Sequence, residues 1–283
     1  MSNVIACIDG SSAMAAVVES AAWASSRLTA PLTLLHVIEE GHASARQDMT
    51  GNIGLGSREK LLEELAELDA KKGKLLLEHG HQLLDEAKRQ VLEKSQVTDV
   101  AMRQRHGELV ESLLALEHET RLLVMGTHGE DHGDGSHIGS QLETVLRRVH
   151  KPILLTPDSF AAPQSVMLAY DGSASTKKGI ELLAKSPLFS GLPVHVVMVG
   201  AESDTNKATL DWARDALQQG GHQVETAIIA GDVEPALHQY QDKNDIGMMV
   251  MGAYGHSKIR QFLVGSTTTA MIEASKTPLL ILR

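Results

Sequence analysis

Cysteine is almost absent: Cys7 is the one thiol in 283 residues. That excludes an intrachain disulfide framework and any cysteine-cluster zinc or iron–sulfur site. Aromatic residues make up only 3% of the chain, so no stacking platform for nucleic-acid bases is expected. No run reaches the ~18 consecutive apolar residues of a membrane-spanning helix. The start, Met1 to Asp9, lacks the basic residues and long apolar core of a signal peptide, so the cytoplasm is the expected location. Cations are in the minority, 26 Lys and Arg against 36 Asp and Glu, for a formal net charge of −10. That balance argues against a broad phosphate-backbone surface, and neither nucleic acid nor membrane is expected as a partner.

What is present is the composition of a globular chain, 42% hydrophobic and 22% charged. The length fits one large domain or two ordinary ones, and an internal repeat decides for two. Val4-Ile5-Ala6-Cys7-Ile8-Asp9-Gly10-Ser11 resembles Val166-Met167-Leu168-Ala169-Tyr170-Asp171-Gly172-Ser173, at an offset of 162. Leu34 to Val37 falls on Val196 to Val199 at the same offset. Beyond that point, Leu123-Val124-Met125-Gly126 matches Met249-Val250-Met251-Gly252, and Pro152 to Leu155 matches Pro278 to Ile281, both at 126. The first copy therefore carries about 36 extra residues, from the difference of the two offsets. We place this insertion at about 41–77, a Gly/Ser/His-rich loop followed by a charged, leucine-rich helical pattern, Arg58 to Leu68. The domains expected are 1–157 and 164–283.

Apolar runs of about five residues alternate with stretches of helical spacing. Strands are expected near 3–8, 31–37, 97–103, 121–126 and 152–156, and again near 166–170, 193–199, 223–229, 246–251 and 278–282. Second-copy helices are expected near 175–185, 205–219, 233–242 and 265–275. Such alternation means an α/β fold, a parallel sheet with helices on both faces. Ligands of these sheets bind beyond the carboxyl ends of the strands. There each copy places an aspartate after strand 1 (Asp9, Asp171), a valine ending strand 2 (Val37, Val199) and a glycine pattern after strand 4.

The glycine pattern is G-x2-G-x9-G-S in both copies: Gly126, Gly129, Gly139 and Ser140, then Gly252, Gly255, Gly265 and Ser266. Glycines let backbone N–H groups approach a ligand, and a helix N-terminus with a hydroxyl favours anions. With these motifs the chain resembles the universal stress protein family, in its tandem form with two such domains. The resemblance covers nearly the whole chain apart from the insertion. It implies two Rossmann-like, flavodoxin-like domains, each a five-stranded parallel sheet of order 3-2-1-4-5, paired through their last strands as an intrachain pseudo-dimer. It further implies a stress-response role and binding of ATP, with Mg2+ as a companion. The aspartate and valine would hold adenosine, and the later glycines and Gly-Ser the phosphates. On this chain that set is Asp171, Val199, Gly252, Gly255, Gly265, Ser266 and Thr267, with a weaker second site at Asp9, Val37, Gly126, Gly129, Gly139 and Ser140.

The copies differ in charge. The nine residues His256 to Val264 carry Lys258 and Arg260 and no acid, whereas Glu130 to Ile138 carry three acids and no Lys or Arg. Two unit charges about 4 Å apart interact by about 4 kcal/mol at an effective dielectric of ~20, before screening. A polyphosphate should therefore prefer the second copy. There Thr267-Thr268 also follows Ser266, in place of Gln141-Leu142 after Ser140.

Three alternatives accompany these readings. The aspartates are also suited to capping a turn before a helix. His128, His132 and His137 with Asp131 and Asp134 match no standard metal spacing, so no metal site is expected. Leu61, Leu62, Leu65 and Leu68 suit packing on the domain, on a second chain in a homodimer, or on another partner. No Walker-type G-x4-G-K-[ST] or evident general base is present, so binding is favoured over turnover, with a slow, autophosphorylating ATPase or a nucleotide-free scaffold as the other readings.

Overall fold

The computed structural model describes residues 2–39, 55–127, 140–252 and 266–283. Ten strands form one sheet. The first half runs β1 (Asn3–Cys7), α1 (Met14–Leu28), β2 (Leu32–Ile38), α2 (Leu55–Lys94), β3 (Val100–His106), α3 (Leu109–Leu116), β4 (Thr120–Gly126), α4 (Ser140–Arg148) and β5 (Ile153–Thr156). The second runs β6 (Val166–Ala169), α5 (Ala174–Lys185), β7 (Val194–Val199), α6 (Asp204–Gln219), β8 (Val224–Ile229), α7 (Val233–Lys243), β9 (Met248–Gly252), α8 (Ser266–Glu273) and β10 (Leu279–Leu282).

The strand order is β3-β2-β1-β4-β5-β10-β9-β6-β7-β8. Each half is the expected parallel 3-2-1-4-5 sheet, and the halves meet where β5 pairs with β10 antiparallel. In that ladder Leu154 faces Leu280, its own counterpart at the offset of 126. A pseudo-two-fold axis therefore passes between these two leucines and relates the halves. Helices α1, α2, α5 and α6 cover one face of the sheet around Val4, Leu34, Val124, Leu168 and Val250. Helices α3, α4, α7 and α8 cover the other around Leu123, Ile153, Met249 and Ile281. Burial on both faces explains why the central strands read as continuous apolar runs.

Most strands lie within two residues of their expected positions. β3 is shifted, to 100–106 from an expected 97–103. Val97 is buried, but its N–H bonds to the Ser95 hydroxyl at 3.2 Å, so it belongs to the turn after α2. Up to residue 54 the loop expected in the insertion lies outside the described residues, and the helical part is longer than the short helix of Arg58 to Leu68. From Leu55 onward it is the amino-terminal part of α2, which is 40 residues long against 16 for its counterpart α6. Among the described residues, the carboxyl-terminal part of α2 packs on the sheet, from Gly80 against His36 and Gln104 through Leu84, Ala87 and Val91.

The connector between the copies lies along α1. Phe160 meets Trp23 with ring centroids 6.0 Å apart, beside a cavity of about 500 Å³ between α1, α2 and the connector. Arg27 on α1 donates from Nε to the carbonyl of Leu188, and Arg283 donates to that of Val149, so each half also holds the other by a side chain.

Candidate functional site

In each half, β1 or its counterpart β6 lies between two strands whose crossovers leave in opposite directions, which opens a crevice at the carboxyl ends. β1, β2 and β4 are adjacent and bring Asp9, Val37 and Gly126 to one edge. β6, β7 and β9 do the same for Asp171, Val199 and Gly252. Helices α4 and α8 start beside these edges, at Ser140 and Ser266. Gly129, Gly139, Gly255 and Gly265 lie outside the described residues, as do Lys258, Arg260 and the histidines and aspartates of 128–137. Because β5 and β10 are antiparallel, the two carboxyl edges open on opposite sides of the sheet.

Both aspartates are fixed by their own turns. Asp171 Oδ1 accepts from the Ser173 N–H at 2.9 Å and from the Thr176 hydroxyl at 2.7 Å. Ser173 then caps α5 by accepting from the Thr176 N–H. Gly172 takes φ +72, a left-handed conformation open to glycine, and a Cβ there would meet Thr209 Cγ2 at 2.8 Å. In the first half Asp9 Oδ1 accepts from the Ser11 N–H at 3.2 Å and its hydroxyl at 2.5 Å. The turn-capping role is thus present in both halves, and it orients each carboxylate at the strand end. Asp171 is exposed and Asp9 half-buried; Val37 and Val199 are half-buried as well.

Neighbouring groups are held neutral. Burial, with the charge of Asp9 as the lesser cause, pushes the Cys7 thiol up to about 12. Burial first, and Asp171 second, pushes the Tyr170 phenol to about 12. The Tyr170 hydroxyl is enclosed with no partner among the described residues.

The halves differ at a residue that the repeat alignment passes over. Glu39, just past β2, reaches across the first crevice. Its Oε2 accepts from Gln141 Nε2 on α4 at 2.5 Å, and its Oε1 accepts from the Leu109 N–H at the start of α3 at 3.4 Å. A carboxylate of the chain itself therefore sits at two helix N-termini, where backbone donors and the helix dipole favour an anion. The corresponding residues in the second half are Ala201, Thr267 and, at the start of α7 after the matching positive-φ glycines Gly107 and Gly231, Val233. Alanine has no acceptor side chain, so no carboxylate of the chain reaches from that place to the starts of α7 and α8. The first turn of α4 also contains Glu143, whereas that of α8 contains no acid, and Thr267 is exposed there. The signal was available from sequence: Ala201 standing opposite Glu39.

Two doubly wound α/β halves joined through their last strands, with one strand-end crevice each, define a tandem α/β protein of the mononucleotide-fold class. A family model described as "Universal stress protein family" matches residues 1–157 and 163–283. The chain belongs to the universal stress protein family. Universal stress protein Slr1230 of Synechocystis is 34% identical over 288 residues, covering 100% of both chains. The crystal structure of a universal stress protein from Archaeoglobus fulgidus superposes with a TM-score of 0.70 at 18% identity, covering 99% of this chain and 98% of its own. A universal stress protein from Archaeoglobus fulgidus in complex with dAMP is 21% identical, covers 44% of this chain and 100% of its own, and has a TM-score of 0.35.

Proposed function

We propose that this protein binds an adenine nucleotide, ATP, at the carboxyl edge of its second half, as a stress-response module of the cytoplasm with no catalytic residue of its own. The domains we assign are 1–157 and 164–283. Asp171 and Val199 face the adenosine, and Gly252, Gly255, Gly265, Ser266 and Thr267 take the phosphates. The observation that carries the choice of half is the Glu39 bridge. It places a carboxylate at the first crevice, bonded to α3 and α4, while the second half has Ala201 in place of Glu39 and Thr267 in place of Gln141.

The charge of the glycine loops supports the same choice, since Lys258 and Arg260 lie in the second and three acids in the first. No group of three or more His, Cys, Asp or Glu suited to a metal is present among the described residues. Mg2+ would enter on the phosphates with one or two protein carboxylates, which is its usual manner with nucleotides. No described helix is long and apolar enough to cross a membrane, and the net charge of −10 disfavours nucleic acid as a ligand.

Calorimetry on the full chain tests this. Wild type should bind one ATP. Asp171→Ala should lose at least about tenfold in affinity, equivalent to ~1.4 kcal/mol, and Asp9→Ala should leave binding unchanged. The reverse ranking of the two variants would assign the nucleotide to the first half.

A further inference from the structure

The amino-terminal part of α2 is an arm whose side chains pack on no other element among the described residues. From Glu63 to His79 every residue except Gly73 is exposed, and the helix first meets the sheet where Gln104 of β3 donates to the Leu77 carbonyl at 3.2 Å and Gly80 packs. At about 1.5 Å per residue these 17 positions span roughly 25 Å. Gly80 lies against His36 and Gln104 near the carboxyl ends of β2 and β3, so the arm rises beyond that edge. A helix this exposed is marginal by itself, because most helical stability in proteins comes from packing an apolar face.

The arm has such a face. Leu65, Leu68, Leu75 and Leu76 are 46%, 62%, 58% and 37% exposed. At 100° per residue they fall within an arc of about 100°, the width of a buried helical stripe. Its charges are also segregated. Glu63, Glu64, Glu67 and Asp69 come first with no cation among them, then Lys71, Lys72 and Lys74 with no acid among them, and Glu78 stands alone past that run. A parallel copy would set like charges side by side. An antiparallel copy about a two-fold axis at the level of Ala70 lays each acidic run along the other's basic run. The same axis sets Leu65 of each helix beside Leu75 of the other.

We propose that the α2 arm is a homodimerisation element, pairing antiparallel with the arm of a second copy through Leu65, Leu68, Leu75 and Leu76, with its charge blocks fixing the direction. The contact is isologous and closes at two chains. It is independent of what binds at the strand ends.

Sedimentation of the full chain over a wide concentration range is the test. The triple variant Lys71→Glu/Lys72→Glu/Lys74→Glu has a wholly acidic arm. The quadruple variant Glu63→Lys/Glu64→Lys/Glu67→Lys/Asp69→Lys has one that is basic apart from Glu78. Wild type should be a dimer that weakens with salt. Each variant alone should dissociate at least about tenfold more readily, with its circular dichroism otherwise unchanged, and a one-to-one mixture should restore a dimer of one chain of each kind. Leu65→Gln/Leu68→Gln should weaken the wild-type dimer without the mixing effect. A wild type monomeric at every concentration, whether residues 40–54 cover the stripe or nothing does, overturns the proposal. So does a dimer that both charge variants leave intact.

Discussion

At the residue scale, Glu39 makes the two copies unequal. A carboxylate that accepts from Gln141 and from the Leu109 N–H occupies donors at the starts of α3 and α4 and adds a negative charge there. Removing it returns those donors to the crevice. Glu39→Ala should therefore create a second ATP site per chain, weaker than the first because Glu130, Asp131 and Asp134 remain in the loop. Calorimetric stoichiometry reads this directly, rising from one to two. An unchanged value would assign the closure to the loop acids alone. Cys7 gives a second prediction. A thiol reacts as its thiolate, and burial with Asp9 nearby keeps Cys7 protonated until about pH 12. The thiolate thus becomes the major form only above that value. At pH 8 the native chain should resist iodoacetamide and react fully once denatured. Rapid labelling of the native chain would show that the end of β1 opens readily.

At the element scale, α2 is where the sequence pattern and the structure diverge most. Periodicity recovered the strands because both faces of β1, β4, β6 and β9 are buried, which writes an uninterrupted apolar run. The end of β3 was misplaced because Val97 is as apolar and buried as a strand residue while bonding as part of a turn. The insertion was located by the change of offset, yet its shape was hidden, since a leucine-rich charged pattern reads the same in a free helix as in the extension of a packed one. Gly80 marks the point where extension becomes packing, and no local pattern distinguishes it from Gly73. A Cβ on Gly80 would meet His36 Cδ2 at 2.5 Å and Nε2 at 2.8 Å, besides Gln104, whereas one on Gly73 meets nothing within 4 Å. His36 cannot easily retreat, because its Nδ1 donates to the Ile8 carbonyl at 2.8 Å. Gly80→Val should cost about 1–3 kcal/mol by overpacking, a fall of roughly 2–4 °C in Tm per kcal/mol. Gly73→Ala should gain up to about 1 kcal/mol from helix propensity. Thermal unfolding of the two variants separates the roles, and equal shifts would mean that α2 does not bear on β2 at Gly80.

At the scale of the whole molecule, the decisive feature is which strands are edges. β3 and β8, the outer strands, are largely exposed or half-buried and carry Arg103, Arg105 and Glu225. Charge on an edge strand discourages pairing with further chains. Arg103 is moreover held by Glu119 in a side-chain pair that keeps the Glu119 carboxyl below its ordinary range. β5 and β10 have the opposite character: Ile153 to Thr156 and Leu279 to Leu282 are buried at every position. Neither can serve as an edge in water, so neither half should remain alone. The pseudo-two-fold axis at Leu154 and Leu280 shows what each would do, because the β5–β10 ladder is already close to a self-pairing. Expressed separately, residues 164–283 should dimerise through β10 with Leu280 facing Leu280, reproducing the antiparallel register of the full chain. Light scattering should return twice the monomer mass. Placing a charge in that strand, Leu280→Lys, should give unfolded or aggregated protein rather than a folded monomer. A stable, folded monomer of either half would show that the junction is dispensable, and that the tandem chain is held together by its connector rather than by its sheet.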